Sequence, residues 1–99
     1  MGFLSNIFKT TSNEELRQMI ADGALLLDVR TKGEFASGHA KDAKNIPLDV
    51  LKANLSKLNK SKPIIAVCAS GMRSGTAVSM LKQNGFTEVY NGGSWTKFM

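Results

Sequence analysis

The chain has 99 residues and is 42% hydrophobic and 21% charged, a size and composition typical of one globular domain and too short for two. Its 9 glycines and 2 prolines exclude collagen-like and low-complexity proteins. The only cysteine, Cys68, excludes an intramolecular disulfide framework, and the only histidine, His39, lies far from it in sequence, which disfavours a zinc site. We therefore expect a single domain over residues 1–99 that holds no metal.

The net charge of +5 would permit binding to anions. The lysines, however, are dispersed along the chain without a dense basic run or interleaved aromatic residues, which favours a solvated surface over a nucleic-acid-binding one. No stretch approaches the ~20 apolar residues of a membrane span, and residues 1–9 lack the basic leader and long apolar core of a signal peptide. The sequence thus predicts a cytoplasmic protein that binds neither nucleic acid nor membranes, and we expect a monomer.

The N-terminal half alternates helix and strand patterns. The segment 12–15, Ser-Asn-Glu-Glu, predicts a capping box at the start of a helix that Gly23 ends. The apolar run 24–30 then predicts a buried parallel strand. A short helical turn is then predicted over 32–37. A short extended piece is predicted over 45–48, because residues before a proline, here Pro47, avoid the helical region.

The C-terminal half repeats the alternation. A helix is predicted over 49–58, the clearest strand over 63–68, a second helix over 73–84 and a short strand over 88–90, after which 91–93 is expected to turn the chain. The stripe on the first of these helices comprises Val50, Leu51, Leu55 and Leu58. Strands alternating with helices predict an α/β three-layer sandwich with a central, mostly parallel sheet flanked by helices.

The segment from Cys68 to Ser74, Cys-Ala-Ser-Gly-Met-Arg-Ser, joins the most apolar strand to the next helix. Ligands of parallel sheets bind at the carboxyl ends of strands, where the N–H groups and the dipole of a following helix favour anions. Gly71 permits close approach of a ligand, and Arg73 adds positive charge. Such surroundings lower the pKa of a cysteine from about 8.5 toward or below 7. The segment therefore predicts a reactive thiolate, and the alternative is an inert cysteine that ends a core strand.

Four segments, in order, carry a resemblance to a known family. They are 27–30 with 34–39 (Leu-Asp-Val-Arg, then Glu-Phe and Gly-His), 43–48 (Ala-Lys-Asn-Ile-Pro-Leu), 68–74, and 89–93 with Trp95. In these segments the chain resembles the rhodanese-like sulfurtransferases, and specifically their small single-domain members. Each segment alone is weak evidence, but four at family-like spacing are specific.

The resemblance implies transfer of a sulfane sulfur through a persulfide on Cys68. A donor such as thiosulfate or a persulfide would supply the sulfur, and a thiol or cyanide would accept it, without a cofactor. The N–H groups of residues 69 to 73 would stabilise the negative outer sulfur. The substrate-binding residues implied in this way are Ala69, Ser70, Gly71, Met72, Arg73 and Ser74.

Residues outside the loop have open interpretations. Asp28 and Arg30 are two apart at a strand end and point to one face. They support the site either by shaping the anion pocket or, as we prefer, by forming a structural ion pair with partners such as Glu34. We expect His39 to be a hydrogen-bonded structural residue rather than a proton shuttle, and Trp95 to close the core.

Two alternatives remain beside the sulfurtransferase hypothesis. Cysteine-loop phosphatases and arsenate reductases separate the cysteine from the arginine by five residues, whereas four lie between Cys68 and Arg73, which disfavours both. A persulfide carrier or interaction module that serves a protein partner is the stronger alternative. Ala69 is neutral where some thiosulfate-using relatives carry a cation, which argues against thiosulfate as the physiological donor.

Overall fold

A four-stranded parallel sheet forms the centre of the fold in the computed structural model, which describes residues 11–99. The strands are β1 (Leu25–Asp28), β2 (Lys44–Asn45), β3 (Ile64–Cys68) and β4 (Val89–Ser94), and their order in the sheet is β2-β1-β3-β4. Every pair is parallel. The segment 1–9, on which the expectation about a signal peptide rests, lies outside the described residues.

Helices connect the strands. They are α1 (Asn13–Ala21), α2 (Lys32–Ser37), α3 (Leu48–Leu51) and α4 (Met72–Gln83), with 3₁₀ segments at Lys52–Lys57 and Trp95–Phe98. The predicted capping box at Ser12 is present, and a second one at Thr31 begins α2. In both, the hydroxyl of the cap residue accepts a hydrogen bond from the N–H of a glutamate three residues later. The carboxylate of that glutamate accepts from the N–H of the cap residue, and the two bonds fix where the helix begins.

Two hydrophobic clusters cover the two faces of the sheet. On one face, Leu51 of α3 and Leu81 of α4 pack with Ile64 of β3. On the other, Leu16 of α1 packs with Leu26 and Val67, beside the partly buried Trp95 and Phe98. Side chains alternate across a strand, so each apolar strand supplies both clusters. The fold is therefore the predicted three-layer α/β sandwich, with a sheet that is wholly parallel.

Two local expectations are wrong. The helix predicted over 49–58 divides into α3 and a 3₁₀ segment, and Val50 is 42% exposed rather than part of the core. The expected turn at 91–93 is strand, because β4 continues to Ser94 through a bulge in which Gly92 is the extra residue between Asn91 and Gly93. A Cβ on Gly92 would lie 2.9 Å from side-chain atoms of Ile65 and Val67, so only glycine fits there.

Among the described residues, no helix combines the length and the apolar character needed to cross a membrane.

Candidate functional site

Cys68 is the last residue of β3 and lies inside the sheet, between β1 and β4. Its side chain is fully buried. The chain leaves the sheet at this point, turns at Gly71 with a φ of 102°, and enters α4 at Met72. A left-handed φ favours glycine, so Gly71 is required by the turn. The sequence prediction of a cysteine at the carboxyl end of a central strand, followed by a helix, is confirmed.

The Cys68 sulfur is the focus of three hydrogen bonds. It accepts from the backbone N–H of Gly71 at 3.0 Å and of Ser74 at 3.3 Å, and the Ser74 Oγ lies 3.4 Å away. Burial raises the pKa of the Cys68 thiol, but hydrogen bonds from the Ser74 hydroxyl and from three backbone N–H groups outweigh it. Those N–H groups belong to Ser74, Gly71 and Ser70. The pKa of the Cys68 thiol therefore lies below that of an ordinary cysteine, and the arrangement favours a thiolate.

Asn91 of β4 holds the loop from the opposite side, a role that the sequence analysis missed. Its Oδ1 accepts from the Ser74 hydroxyl at 2.7 Å and from the Gly93 N–H at 2.9 Å, and its Nδ2 donates to the Gly71 carbonyl at 3.0 Å. Because β4 continues through the bulge instead of turning, Asn91 lies beside the loop. The predicted strand over 88–90 ended one residue before Asn91, and the family-like segment 89–93 included Asn91 without indicating its contact with the loop.

The Ser74 hydroxyl links the sulfur to Asn91. A hydroxyl has one hydrogen and two lone pairs, so Ser74 donates either to Asn91 or to a thiolate on Cys68. When it donates to Asn91, the Cys68 S–H can donate to the Ser74 Oγ. Loss of the thiol proton then lets the hydroxyl turn toward the sulfur, while Asn91 keeps its bond from Gly93. The site can therefore accommodate both protonation states.

Arg73, which the sequence predicts to add positive charge beside the loop, forms an ion pair with Glu34 of α2. Its two terminal nitrogens donate to the two carboxylate oxygens of Glu34, at 2.7 Å and 3.0 Å. The hydrogen bond from Arg73 is the main reason that the pKa of Glu34 falls to about 2, and the pair raises the pKa of Arg73. Both side chains are about one third exposed.

Asp28 and Arg30 form a buried ion pair at the carboxyl end of β1. The guanidinium contacts the carboxylate at 2.7 Å, and both side chains are at most 4% exposed. Arg30 also donates to the Gly38 carbonyl at 2.7 Å and lies 4.4 Å from the centre of the Trp95 ring. Arg30 donates only to the backbone carbonyl of Glu34, so the expected ion pair with the Glu34 carboxylate is wrong. That carboxylate binds Arg73 instead. The pair joins β1 to the segment after α2.

The remaining predicted residues lie at the surface. Ala69 and Ser70 are exposed, and Met72 is 81% exposed at the start of α4. The His39 Nδ1 lies 2.8 Å from the Phe35 carbonyl and its ring stacks on Phe35, as expected of a structural histidine.

A shallow cavity of about 230 Å³ lies beside Arg73. Its lining residues are Val29, Thr31, Pro47, Leu48, Asp49 and Arg73. Most of this surface is apolar, and Arg73 is the only cation among the described residues that line it. Among residues 11–99, no group of three or more histidine, cysteine or acidic side chains could hold a metal ion.

The chain is thus a parallel α/β sandwich with a buried, hydrogen-bonded cysteine at the carboxyl end of a central strand. Comparison with known proteins defines the family: the rhodanese-like domain matches residues 12–99. The chain belongs to the rhodanese-like family, as the four sequence segments predict.

Relatives support this assignment. The chain is 40% identical over 89 residues to the protein YqhL of Bacillus subtilis, which covers 90% of this chain and 70% of that one. It is 36% identical over 81 residues to a sulfurtransferase of Allochromatium vinosum, covering 80% and 76%. The structure of the human single-domain sulfurtransferase TSTD1 matches with a TM-score of 0.75 at 30% identity, covering 89% and 92%. The chain is thus a rhodanese-like domain with relatives named as sulfurtransferases.

Proposed function

We propose that this protein, as a single domain, is a sulfurtransferase in which Cys68 carries the transferred sulfur as a persulfide. The observation that carries the proposal is the set of bonds at the Cys68 sulfur, where Gly71 and Ser74 direct two backbone N–H groups and a hydroxyl. These hydrogen-bond donors stabilise negative charge on the Cys68 sulfur before the sulfur substrate arrives. Catalysis at an anionic centre requires preorganisation of this kind.

In the first step, the Cys68 thiolate attacks the outer sulfur of the donor. A new S–S bond forms at Cys68 and the S–S bond of the donor breaks, so thiosulfate leaves as sulfite and a persulfide leaves as a thiolate. In the thiosulfate case the electron pair of the broken bond leaves with sulfite, and the outer sulfur keeps its negative charge in the Cys68 persulfide. We expect the N–H groups of the loop to stabilise that charge.

In the second step, a nucleophilic acceptor takes the outer sulfur. Cyanide leaves as thiocyanate and a thiol leaves as a new persulfide, and in both cases the Cys68 thiolate returns. Free enzyme and persulfide form therefore alternate, and we expect ping-pong kinetics. The chemistry needs only the donor, the acceptor and one thiol, so we propose that the protein works without a cofactor, as a monomer.

A reducing compartment suits this chemistry, since a lone reactive thiol is prone to oxidation elsewhere. We therefore propose a cytoplasmic location.

One observation favours a second candidate, in which the persulfide passes to a protein rather than to a small molecule. Met72 is 81% exposed on the loop, beside the exposed Ala69 and Ser70. A flexible, exposed methionine is the kind of side chain that adaptable protein-binding surfaces use. A carrier of this kind would transfer sulfur slowly to cyanide and quickly to its partner.

The assay that tests the proposal measures thiocyanate formation from cyanide with thiosulfate, and with an alkyl persulfide, as alternative donors. The wild-type protein is expected to produce thiocyanate with at least one donor, and Cys68→Ser to produce none. Ser79→Ala serves as the matched control, because Ser79 is exposed on α4. Equal activity of Cys68→Ser and wild type would refute the proposal, and a slow reaction with cyanide alone would favour the carrier.

A further inference from the structure

The charge beside the Cys68 loop is set by a residue of another element. Arg73 lies between Gly71 and Ser74, whose N–H groups donate to the Cys68 sulfur, so its guanidinium would attract an anionic substrate. Glu34 of α2 occupies both of its terminal nitrogens, at 2.7 Å and 3.0 Å. A bidentate pair of this kind is specific and removes the net charge of the arginine.

The cavity beside Arg73 adds no further cation among its described lining residues. Its one other charged residue is Asp49, and its other walls include Val29, Pro47 and Leu48. The neutral Ala69 follows Cys68 directly. Arg73, which Glu34 neutralises, is therefore the only cation that these residues present.

We propose that Glu34 determines the substrate class at Cys68: by neutralising Arg73 it favours an organic persulfide of low net charge over the dianion thiosulfate. This inference rests on the proposed sulfurtransferase function. The Cys68 thiolate attacks the outer sulfur of a persulfide RSSH, the Cys68–S bond forms, and the S–S bond of the donor breaks. The proton stays on the transferred sulfur and the donor leaves as the thiolate RS⁻, so charge and atoms balance. The apolar wall of the cavity suits the carbon part of such a donor.

Alkylation of Cys68 tests the charge argument independently of sulfur transfer. Iodoacetate is an anion and iodoacetamide is neutral, and the same thiolate reacts with both. The ratio of their second-order rate constants therefore reports the charge beside the Cys68 sulfur. The test variant is Glu34→Gln. Glutamine also serves in a capping box, so the bond that Glu34 accepts from the Thr31 N–H is kept and α2 is expected to fold.

The chain provides a matched control in Glu15→Gln. Glu15 accepts from the Ser12 N–H in the capping box of α1, on the opposite face of the sheet from α4. The substitution changes the net charge by the same amount and preserves the same motif. Any effect of total charge on the reagents therefore appears equally in both variants.

We expect Glu34→Gln to raise the iodoacetate-to-iodoacetamide ratio by about threefold to tenfold at low ionic strength, as one uncovered charge near the sulfur would do, and molar salt to reduce that increase. Glu15→Gln should leave the ratio at its wild-type value. An unchanged ratio in Glu34→Gln, or an equal rise in both variants, would overturn the inference.

The donors give the second measurement. In Glu34→Gln, kcat/KM for thiosulfate should rise relative to kcat/KM for an alkyl persulfide, because thiosulfate carries two negative charges and the persulfide carries at most one. A constant ratio of the two donors would contradict the assignment of Glu34. Wild-type protein that is alkylated normally but transfers no sulfur from any donor would instead refute the proposed function.

Discussion

The hydrogen bond from Ser74 offers the sharpest test of how the site prepares its sulfur. Ser74→Ala removes the hydroxyl that lies 3.4 Å from the Cys68 sulfur and leaves the N–H groups of Gly71 and Ser74 in place. Asn91 keeps its bond from the Gly93 N–H, so the substitution strands no buried acceptor. The expected result is a higher pKa of the Cys68 thiol, because one donor to the thiolate is lost.

The magnitude follows from the bond that is lost. A hydrogen bond to a charged group contributes about 1.5–3 kcal/mol net. The long distance to sulfur places this bond at or below the lower end of that range, and about 1.4 kcal/mol corresponds to a tenfold change in an equilibrium constant. On the rising part of the pH profile, the thiolate fraction of Ser74→Ala should therefore be about tenfold lower than that of wild type.

The assay is the pH dependence of iodoacetamide alkylation, which follows the thiolate of the only cysteine. The profile of Ser74→Ala should move to higher pH and reach a plateau similar to that of wild type. Ser79→Ala is the control, since it makes the same change at an exposed position of the same helix. Superimposable profiles of Ser74→Ala and wild type would show that the hydroxyl donates to Asn91 in both states, and the reasoning would fail.

Three further outcomes follow from the structure. Gly92→Ala should lower the free energy of unfolding by about 1–3 kcal/mol, because the new Cβ would lie 2.9 Å from two core side chains. Gly33→Ala, whose Cβ would have no neighbour within 4 Å, should not lower it, and denaturant unfolding measures both. Arg30→Ala should lower the free energy of unfolding by about 3–5 kcal/mol, because it leaves the Asp28 carboxylate buried and unpaired. A loss no larger than that from replacing an exposed arginine with alanine would contradict the pairing. The lowered pKa of Cys68 should make the protein more stable as pH rises from the folded-state pKa to the higher pKa of the unfolded chain. Measurements of unfolding at several pH values should show this gain for wild type and not for Cys68→Ser.

The fold could be predicted largely because its determinants are local. The capping box at Ser12, the apolar run that became β1 and the strand that ends at Cys68 are each visible within a few residues. Val50 shows the limit of such patterns. Helical spacing places it with the core residues, but α3 ends after one turn and the following 3₁₀ segment has a different period, so its side chain faces solvent.

The site could be predicted only in part, for the same physical reason. The loop from Cys68 to Ser74 is continuous in sequence, and its chemistry follows from residue type and order. The Glu34 carboxylate reaches Arg73 across 39 positions, and Asn91 reaches Gly71 across 20. Pairings of that kind depend on which strands lie side by side and on a bulge in β4, neither of which a local pattern encodes.

The most direct test of the central claim is the intact mass of the protein after incubation with a sulfane sulfur donor and removal of the excess. The wild-type chain should gain the mass of one sulfur atom, and cyanide should remove that mass and yield one equivalent of thiocyanate. The Cys68→Ser protein should gain nothing, since Cys68 is the only thiol. A wild-type protein that never gains the sulfur with thiosulfate or any persulfide, or a Cys68→Ser protein that does, would contradict the account.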